Sequence, residues 1–212
     1  MDNEKILELV NVSYWYNNSN HILENICLSF EAGKIYAITG ASGSGKTTLM
    51  SLLGGLDAPK AGTILYKGED IKKIGDERYR KECVSFVFQN YNLINYMTSL
   101  ENVMLTSKSS PLPYLAEVGI TKEEAYRNVL KLSGGQQQRV AIARAIASET
   151  PVILADEPTG NLDEYTSNGI ITLLKELAHK KNKCVIIVTH SKSVAANTDN
   201  IYEIKNSTIL ST

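Results

Sequence analysis

Nine residues, GASGSGKTT at positions 40 to 48, constrain this chain more than any other stretch. They match the pattern G-x-x-x-x-G-K-[ST]. An apolar run, Ile35 to Thr39, leads into them, and a helical pattern from Thr48 to Leu53 leads out. A strand, a glycine turn and a helix in that order belong to an α/β fold. The chemistry follows from the backbone. Gly40, Gly43 and Gly45 let the chain curl, so that amides from Gly40 through Ala41, Ser42, Gly43, Ser44 and Gly45 to Thr48 turn toward one anion. Lys46 then reaches the β- and γ-phosphates, and the Thr47 hydroxyl is placed for Mg²⁺. The helix N-terminus behind the loop adds about half a positive charge. An ordinary glycine-rich turn is the competing reading, and the flanking strand and helix count against it.

The remaining pattern agrees with an α/β chain. Residues 6–10 and 22–30 alternate like strands, with a polar loop at 17–20 between them. Residues 63–66 and 84–88 read as strands and 76–82 as a helix. Gly54-Gly55 is a C-cap signal. From about 98 to 148 the pattern is helical, broken by SSPLP at 109–113. Strand 152–155, helix 163–178 and strand 184–189 follow. Strands separated by helices predict a mainly parallel sheet. The helical stretch predicts an inserted subdomain.

Two later strands end in polar residues. VILADEP, residues 152 to 158, runs four apolar residues into Asp156 and Glu157. Open α/β sheets bind ligands at the carboxyl ends of their strands. Asp156 suits a Mg²⁺ shell, and Glu157 could polarise an attacking water. VTHS ends the next strand on His190, whose imidazole could hold a γ-phosphate and that water. Gln89 ends VSFVF in the same manner, with an amide that could ligate Mg²⁺. Taken singly, each is also a plain solvated strand end. Four strands converging on one edge is the stronger observation.

Composition excludes several classes. With 22 basic and 23 acidic residues, the net charge of −1 makes no case for nucleic-acid binding. Cys27, Cys83 and Cys184 lie far apart in or beside apolar runs and read as buried free thiols of a reducing compartment. No signal peptide is visible, and no apolar run approaches the ~20 residues of a membrane span. The expectation is a cytoplasmic protein.

LSGGQQQRV, residues 132 to 140, poses a separate question. Ser133 and Gln136 form the S-x-x-Q capping box of a helix start. Gly134 and Gly135 in the first turn each cost about 1 kcal/mol against alanine. A capped helix that keeps two glycines at its positive end implies close approach by something else.

Together these residues resemble the ATP-binding subunits of ABC transporters. GASGSGKTT is similar to Walker A, Gln89 to the Q-loop glutamine, LSGGQ to the signature and VILADE to Walker B. GNLD, ending at Asp163, is similar to the D-loop, and His190 to the H-loop histidine. Tyr16 stands where that family stacks an aromatic on adenine. GGLDAPKAGTI, FVFQNYNLI and LSGGQQQRVAIARAIA are most similar to the branch of lipoprotein-release, macrolide-export and antimicrobial-peptide transport ATPases. The resemblance implies one domain over 1–212. Its P-loop core is RecA-like with an N-terminal antiparallel β subdomain (about 1–89 and 149–212), and a helical subdomain covers about 90–148. It implies ATP and Mg²⁺ as cofactors, with Lys46, Glu157 and His190 catalytic. It also implies a head-to-tail dimer, a homodimer by the completeness of the motifs. There Ser133, Gly134, Gly135 and Gln136 would close over the γ-phosphate held by the partner's loop. A transmembrane permease would dock near residues 90–103 and hold the protein on the inner face of the membrane. The chain departs from the family between Gln89 and Leu132, where most of one helix is absent. Two alternatives remain: a soluble ABC ATPase of DNA repair or translation, and a regulatory protein that binds ATP without hydrolysing it.

Overall fold

The computed structural model describes residues 4–17 and 20–211. Along the chain it places β1 (Lys5–Asn17), β2 (Asn20–Glu31), β3 (Ile35–Gly40), α1 (Lys46–Leu53), β4 (Ala61–Tyr66), β5 (Glu69–Asp70), α2 (Ile71–Ile74), α3 (Asp76–Glu82) and β6 (Val84–Val87). Then come α4 (Ser99–Met104), α5 (Leu112–Glu117), α6 (Lys122–Ala125), a 3₁₀ turn (Val129–Lys131) and α7 (Gly134–Ala147). The chain continues with β7 (Val152–Asp156), α8 (Glu164–Lys181), β8 (Cys184–Val188), α9 (Lys192–Ala195), β9 (Asn200–Lys205) and β10 (Thr208–Ser211).

Two sheets result. The first is antiparallel, in the order β2-β1-β4-β5. The second has the order β10-β9-β3-β8-β7-β6, parallel except for β10. Its central strands are buried along 35–38, 152–155 and 184–188 because both faces are covered. Ile153, Ala155, Val185 and Ile187 pack on one side with residues of α7 and α8. Their alternates Val152, Leu154, Cys184, Ile186 and Val188 pack on the other with α1 and the antiparallel sheet. Each large side chain so buried contributes about 1.5–3 kcal/mol.

Several elements differ from the sequence expectation, for physical reasons. The expected break in the helical stretch is present, since α4 ends at Met104 and α5 begins at Leu112, but Pro113 itself sits in the first turn of α5, where a missing amide costs no helical bond. In the expected loop at 17–20, Asn17 pairs with Asn20 as the ends of β1 and β2, and residues 18 and 19 lie outside the described residues. β6 stops at Val87, so Gln89 occupies a turn rather than the strand end. β9 and β10 gave no apolar run to read, since β9 is mostly half-covered. Cys27 is exposed, with its thiol bonded to Asn11, whereas Cys83 and Cys184 are buried. All three are free.

α1 ends as the glycine pair signalled, with Gly55 in the left-handed region at φ 61°, whereas φ at Gly54 is −86°. Gly54 has another task. It is needed for space. A Cβ there would stand 2.1 Å from Phe86 Cζ and 3.3 Å from Leu154 Cδ1. Gly54→Ala should therefore lower stability by about 1–3 kcal/mol through overpacking. Urea unfolding measures this, and an unchanged midpoint would mean that the Phe86 ring swings aside freely.

Candidate functional site

The site begins where β3 ends. Ile38 of β3 and Asp156 of β7 both pair with Val188 of β8, which brings three strand ends to one level. Beyond that level the glycine loop turns into α1. Gly45 precedes the helix at φ 103°, and a Cβ there would lie 2.9 Å from Ile22 Cγ2. No side chain caps α1, so its first-turn amides remain open to an anion. Lys46 folds back on the loop, its Nζ donating to the carbonyls of Gly40 (2.8 Å) and Ala41 (2.9 Å). Ser44 Oγ is buried and has no hydrogen-bond partner among the described residues.

A cleft of about 230 Å³ opens beside this loop, lined by Tyr16, Ile22, Gly43, Gly45, Lys46, Thr47 and Thr48. Of the cluster Tyr14-Trp15-Tyr16, only Tyr16 both reaches the cleft and stands open, at 69% exposure. Tyr14 is buried and donates its hydroxyl to Asp57, a bond that pushes the phenol up to about 12 and holds the Asp57 carboxyl down. Trp15 stacks on His21 at 4.9 Å.

Asp156 and Glu157 have different surroundings. Burial raises the Asp156 carboxyl, Glu157 raises it further, and Lys46 pulls it down. This is an acid whose charge lacks compensation. Glu157 turns out of the strand at φ 43°, its amide bonded to Val188. Its carboxylate then accepts from Thr189 Oγ1 (2.9 Å) and from the His190 amide (2.9 Å), and it meets His190 Nδ1 at 2.7 Å. Three of roughly four acceptor positions are thus occupied. The sequence pointed to Glu157 and His190 separately and did not disclose that they are a pair.

Gln89 and Asp163 are brought to different partners. Gln89 Nε2 donates to Asn161 Oδ1 at 3.4 Å, and Asn161 Nδ2 returns a bond to the Gln89 carbonyl at 3.2 Å. Asn161 was not among the expected site residues, although it lies within GNLD. Asp163 caps α8, accepting from the Thr166 amide (3.0 Å) and hydroxyl (2.6 Å), which holds its carboxyl low. Inside its own chain it serves the helix.

At α7 the capping box is present. Ser133 Oγ accepts from the Gln136 amide, and Gln136 Oε1 accepts from the Ser133 amide. The glycine pair has a reason within the chain that the sequence did not reveal. A Cβ on Gly134 would lie 2.9 Å from Tyr91 Oη, and one on Gly135 would lie 2.5 Å from Thr166 Cγ2. Close approach does occur there, and part of it is intramolecular. Gln138, three residues from Gly135, is fully buried and donates to the Pro158 carbonyl at 2.8 Å, beside Glu157.

Comparison with known proteins agrees with this geometry. The ABC transporter family model matches residues 23–160. The uncharacterized ABC transporter ATP-binding protein YclH of Bacillus subtilis is 50% identical over 205 residues, covering 92% of this chain and 91% of that protein. The lipoprotein-releasing system ATP-binding protein LolD of Syntrophotalea carbinolica is 42% identical, covering 85% of each. Among solved structures, the dimeric bacterial ABC transporter cassette MJ0796 superposes with a TM-score of 0.85 at 35% identity, covering 96% of both chains. That cassette is also known as a dimer in a post-hydrolysis state bound to ADP and Pi, which superposes at 0.84. The chain belongs to the ABC transporter family, as the ATP-binding subunit of a transport system.

Proposed function

We propose that this subunit binds ATP with Mg²⁺, hydrolyses it within a head-to-tail homodimer, and so drives a separate membrane permease. The observation that carries hydrolysis is the fixed Glu157 carboxylate. Thr189 and His190, just beyond β8, supply three donors that hold it next to Asp156, with one acceptor position left for a water. The anion loop supports nucleotide binding: Lys46 would exchange its two carbonyl partners for phosphate oxygens, and Tyr16 would stack on the base across the cleft. Gln89 would reach the γ-phosphate only by leaving Asn161, which suits a residue that senses it. His190 would hold the γ-phosphate while its Nδ1 stays on Glu157.

The residues fit Mg²⁺. Asp156 is a half-buried carboxylate with uncompensated charge, and Thr47 stands exposed in the cleft beside Lys46. Among the described residues no group of three or more His, Cys, Asp or Glu side chains could hold a metal unaided. Mg²⁺ is commonly bound through one or two carboxylates and completes its shell with phosphate oxygens and water. Asp156 would be the carboxylate here, with the Thr47 hydroxyl and the Gln89 amide oxygen as neutral ligands. The ion's chemistry is neutralisation of charge on the β- and γ-oxygens.

Residues 90–148 would act as a helical subdomain on the core formed by 1–89 and 149–212. For the permease we place docking beside residues 90–103 rather than on them. A groove of about 500 Å³ runs between Phe86, Phe88 and Leu105, with Arg80, Lys108 and Arg144 at its sides. An apolar floor with cationic walls suits a short segment carrying both an apolar and an acidic side chain. Such docking would hold the protein at the inner membrane face. No helix of the described residues is long and apolar enough to cross a membrane itself.

Three outcomes are expected. Glu157→Gln should leave ATP binding intact and slow steady-state phosphate release by roughly 10²–10⁴-fold; turnover at the parent rate would remove Glu157 from the reaction. Tyr16→Ala should weaken ATP binding by about 1–3 kcal/mol in calorimetric titration, whereas Tyr14→Ala should spare it. Normal binding by Tyr16→Ala with a loss in Tyr14→Ala would move the base onto Tyr14. The third concerns the glycine pair. In the Glu157→Gln background, ATP and not ADP should shift the chain from monomer to dimer in sedimentation. Gly135→Asp should abolish the shift, but it also collides with Thr166. Gly135→Asp with Thr166→Ser removes the colliding methyl and keeps a hydroxyl for Asp163. If the double variant dimerises normally, the glycine serves only its own chain.

A further inference from the structure

We propose that Arg144 is a positioning residue, a latch that ties the loop after Gln89 to α7 so that the γ-phosphate sensor and the signature helix of one subunit move together. The guanidinium of Arg144 donates from Nη1 to the Asn92 carbonyl at 2.6 Å and from Nη2 to the Tyr91 carbonyl at 3.0 Å. These are two successive backbone oxygens taken by one planar fork, a geometry that lysine cannot reproduce. Among the described residues no carboxylate forms an ion pair with Arg144; the nine pairs present are elsewhere. A half-buried cation without an acid is solvated here by carbonyl dipoles.

The conformation of the loop shows what the bonds do. Tyr91 and Asn92 both lie in the left-handed region, at φ 60° and 47°. Asparagine enters this region more readily than other L-residues, and a bulky tyrosine is a rare occupant. The strained turn aims both carbonyls at Arg144. It also sends the Tyr91 side chain the other way along α7, where its hydroxyl covers Gly134. The loop therefore touches α7 near its C-terminal end through backbone and at its N-terminus through a side chain. On the far side, the Arg144 carbonyl accepts from Thr106 Oγ1 at 2.7 Å, which fixes the Arg144 turn of α7 to the segment after α4. Gln89 itself is two residues from Tyr91. When it leaves Asn161 for a phosphate, Tyr91 and Asn92 must follow, and Arg144 passes that displacement to α7.

The latch is read from the geometry alone. The transmission step rests on the roles proposed above for Gln89 and for residues 133–136. Hydrogen–deuterium exchange on the full chain separates the two. Without nucleotide, Arg144→Met should speed exchange in residues 89–95 by tenfold or more. Arg144→Lys, which keeps charge and length and guards against a misfolded variant, should fall between. Residues 35–40 report the core and should not change. With Mg-ATP and Glu157→Gln, residues 89–95 and 132–137 should gain protection together in the parent. In Arg144→Met only residues 89–95 should respond, while affinity for ATP stays within twofold. Unchanged exchange at 89–95 in nucleotide-free Arg144→Met would overturn the latch. Full protection of 132–137 in that variant would overturn transmission. A parent that shows no ATP response at 89–95 would instead sink the reading of Gln89, and the nucleotide-free comparison would still decide the latch.

Discussion

Everything at the site depends on three adjacent parallel strands that are buried on both faces. β3, β8 and β7 can present no polar side chain along their length without placing it in a core. Cys184 to Val188 are all buried, as are Val152 to Ala155 and Ile35 to Ile38. Polar chemistry is thereby confined to the strand ends, and the pairing of Ile38 and Asp156 with Val188 sets those ends level. The carboxyl end is the one that receives a helix N-terminus, since α1 follows β3 directly. A cationic dipole end and two acids thus meet on one edge because the core leaves them nowhere else.

That edge is electrostatically unfinished. Asp156 is burdened by burial and by Glu157, and Lys46 offsets only part of this. Lys46 meanwhile rests on carbonyls rather than on an acid, and the α1 amides lack a cap. An anion with a divalent cation would satisfy the amides, the lysine and the acid together. Neither alone does so: an anion leaves Asp156 repelled, and a cation leaves the helix end open. On the proposed reading, a metal-complexed phosphate would answer all three at once. Glu157 differs, because its three donors are already in place and need no ligand to assemble.

The sequence exposed those parts whose signal is local. The glycine loop, the strand ends at Asp156 and Glu157, and the Ser133–Gln136 box each lie within a few residues, and each stands in the structure where its local pattern put it. Long-range partners were not legible. Glu157 and His190 are 33 positions apart, and neither residue's neighbours advertise the other. Asn161 reaches Gln89 across 72 positions, and Thr166 reaches Gly135 only through the packing of α8 on α7. β9 escaped notice because a half-covered strand beside β3 carries mixed polarity rather than an apolar run. The exposure of Tyr16 beside a buried Tyr14 likewise depends on a distant partner, Asp57, which holds the Tyr14 hydroxyl.

The glycine pair shows how two constraints come to share one position. Thr166 cannot retreat from Gly135, because its amide and hydroxyl both hold Asp163. Tyr91 covers Gly134 from the loop that follows Gln89. The first turn of α7 is therefore pressed by two segments of its own chain, one leading from Gln89 and one from Glu157 by way of Asn161 and Asp163. A helix end shaped only to receive an outside phosphate would have no need of these neighbours. A helix end shaped only for internal packing could fill the space with an alanine and a smaller residue at 166. Glycine at both positions, with Tyr91 from the loop after Gln89 and Thr166 from the first turn of α8 set against them, brings the backbone of α7 close to the segments that, on the proposed reading, would register ATP. In the proposed dimer the small residues would then act in both directions, opening the amides outward and coupling them inward.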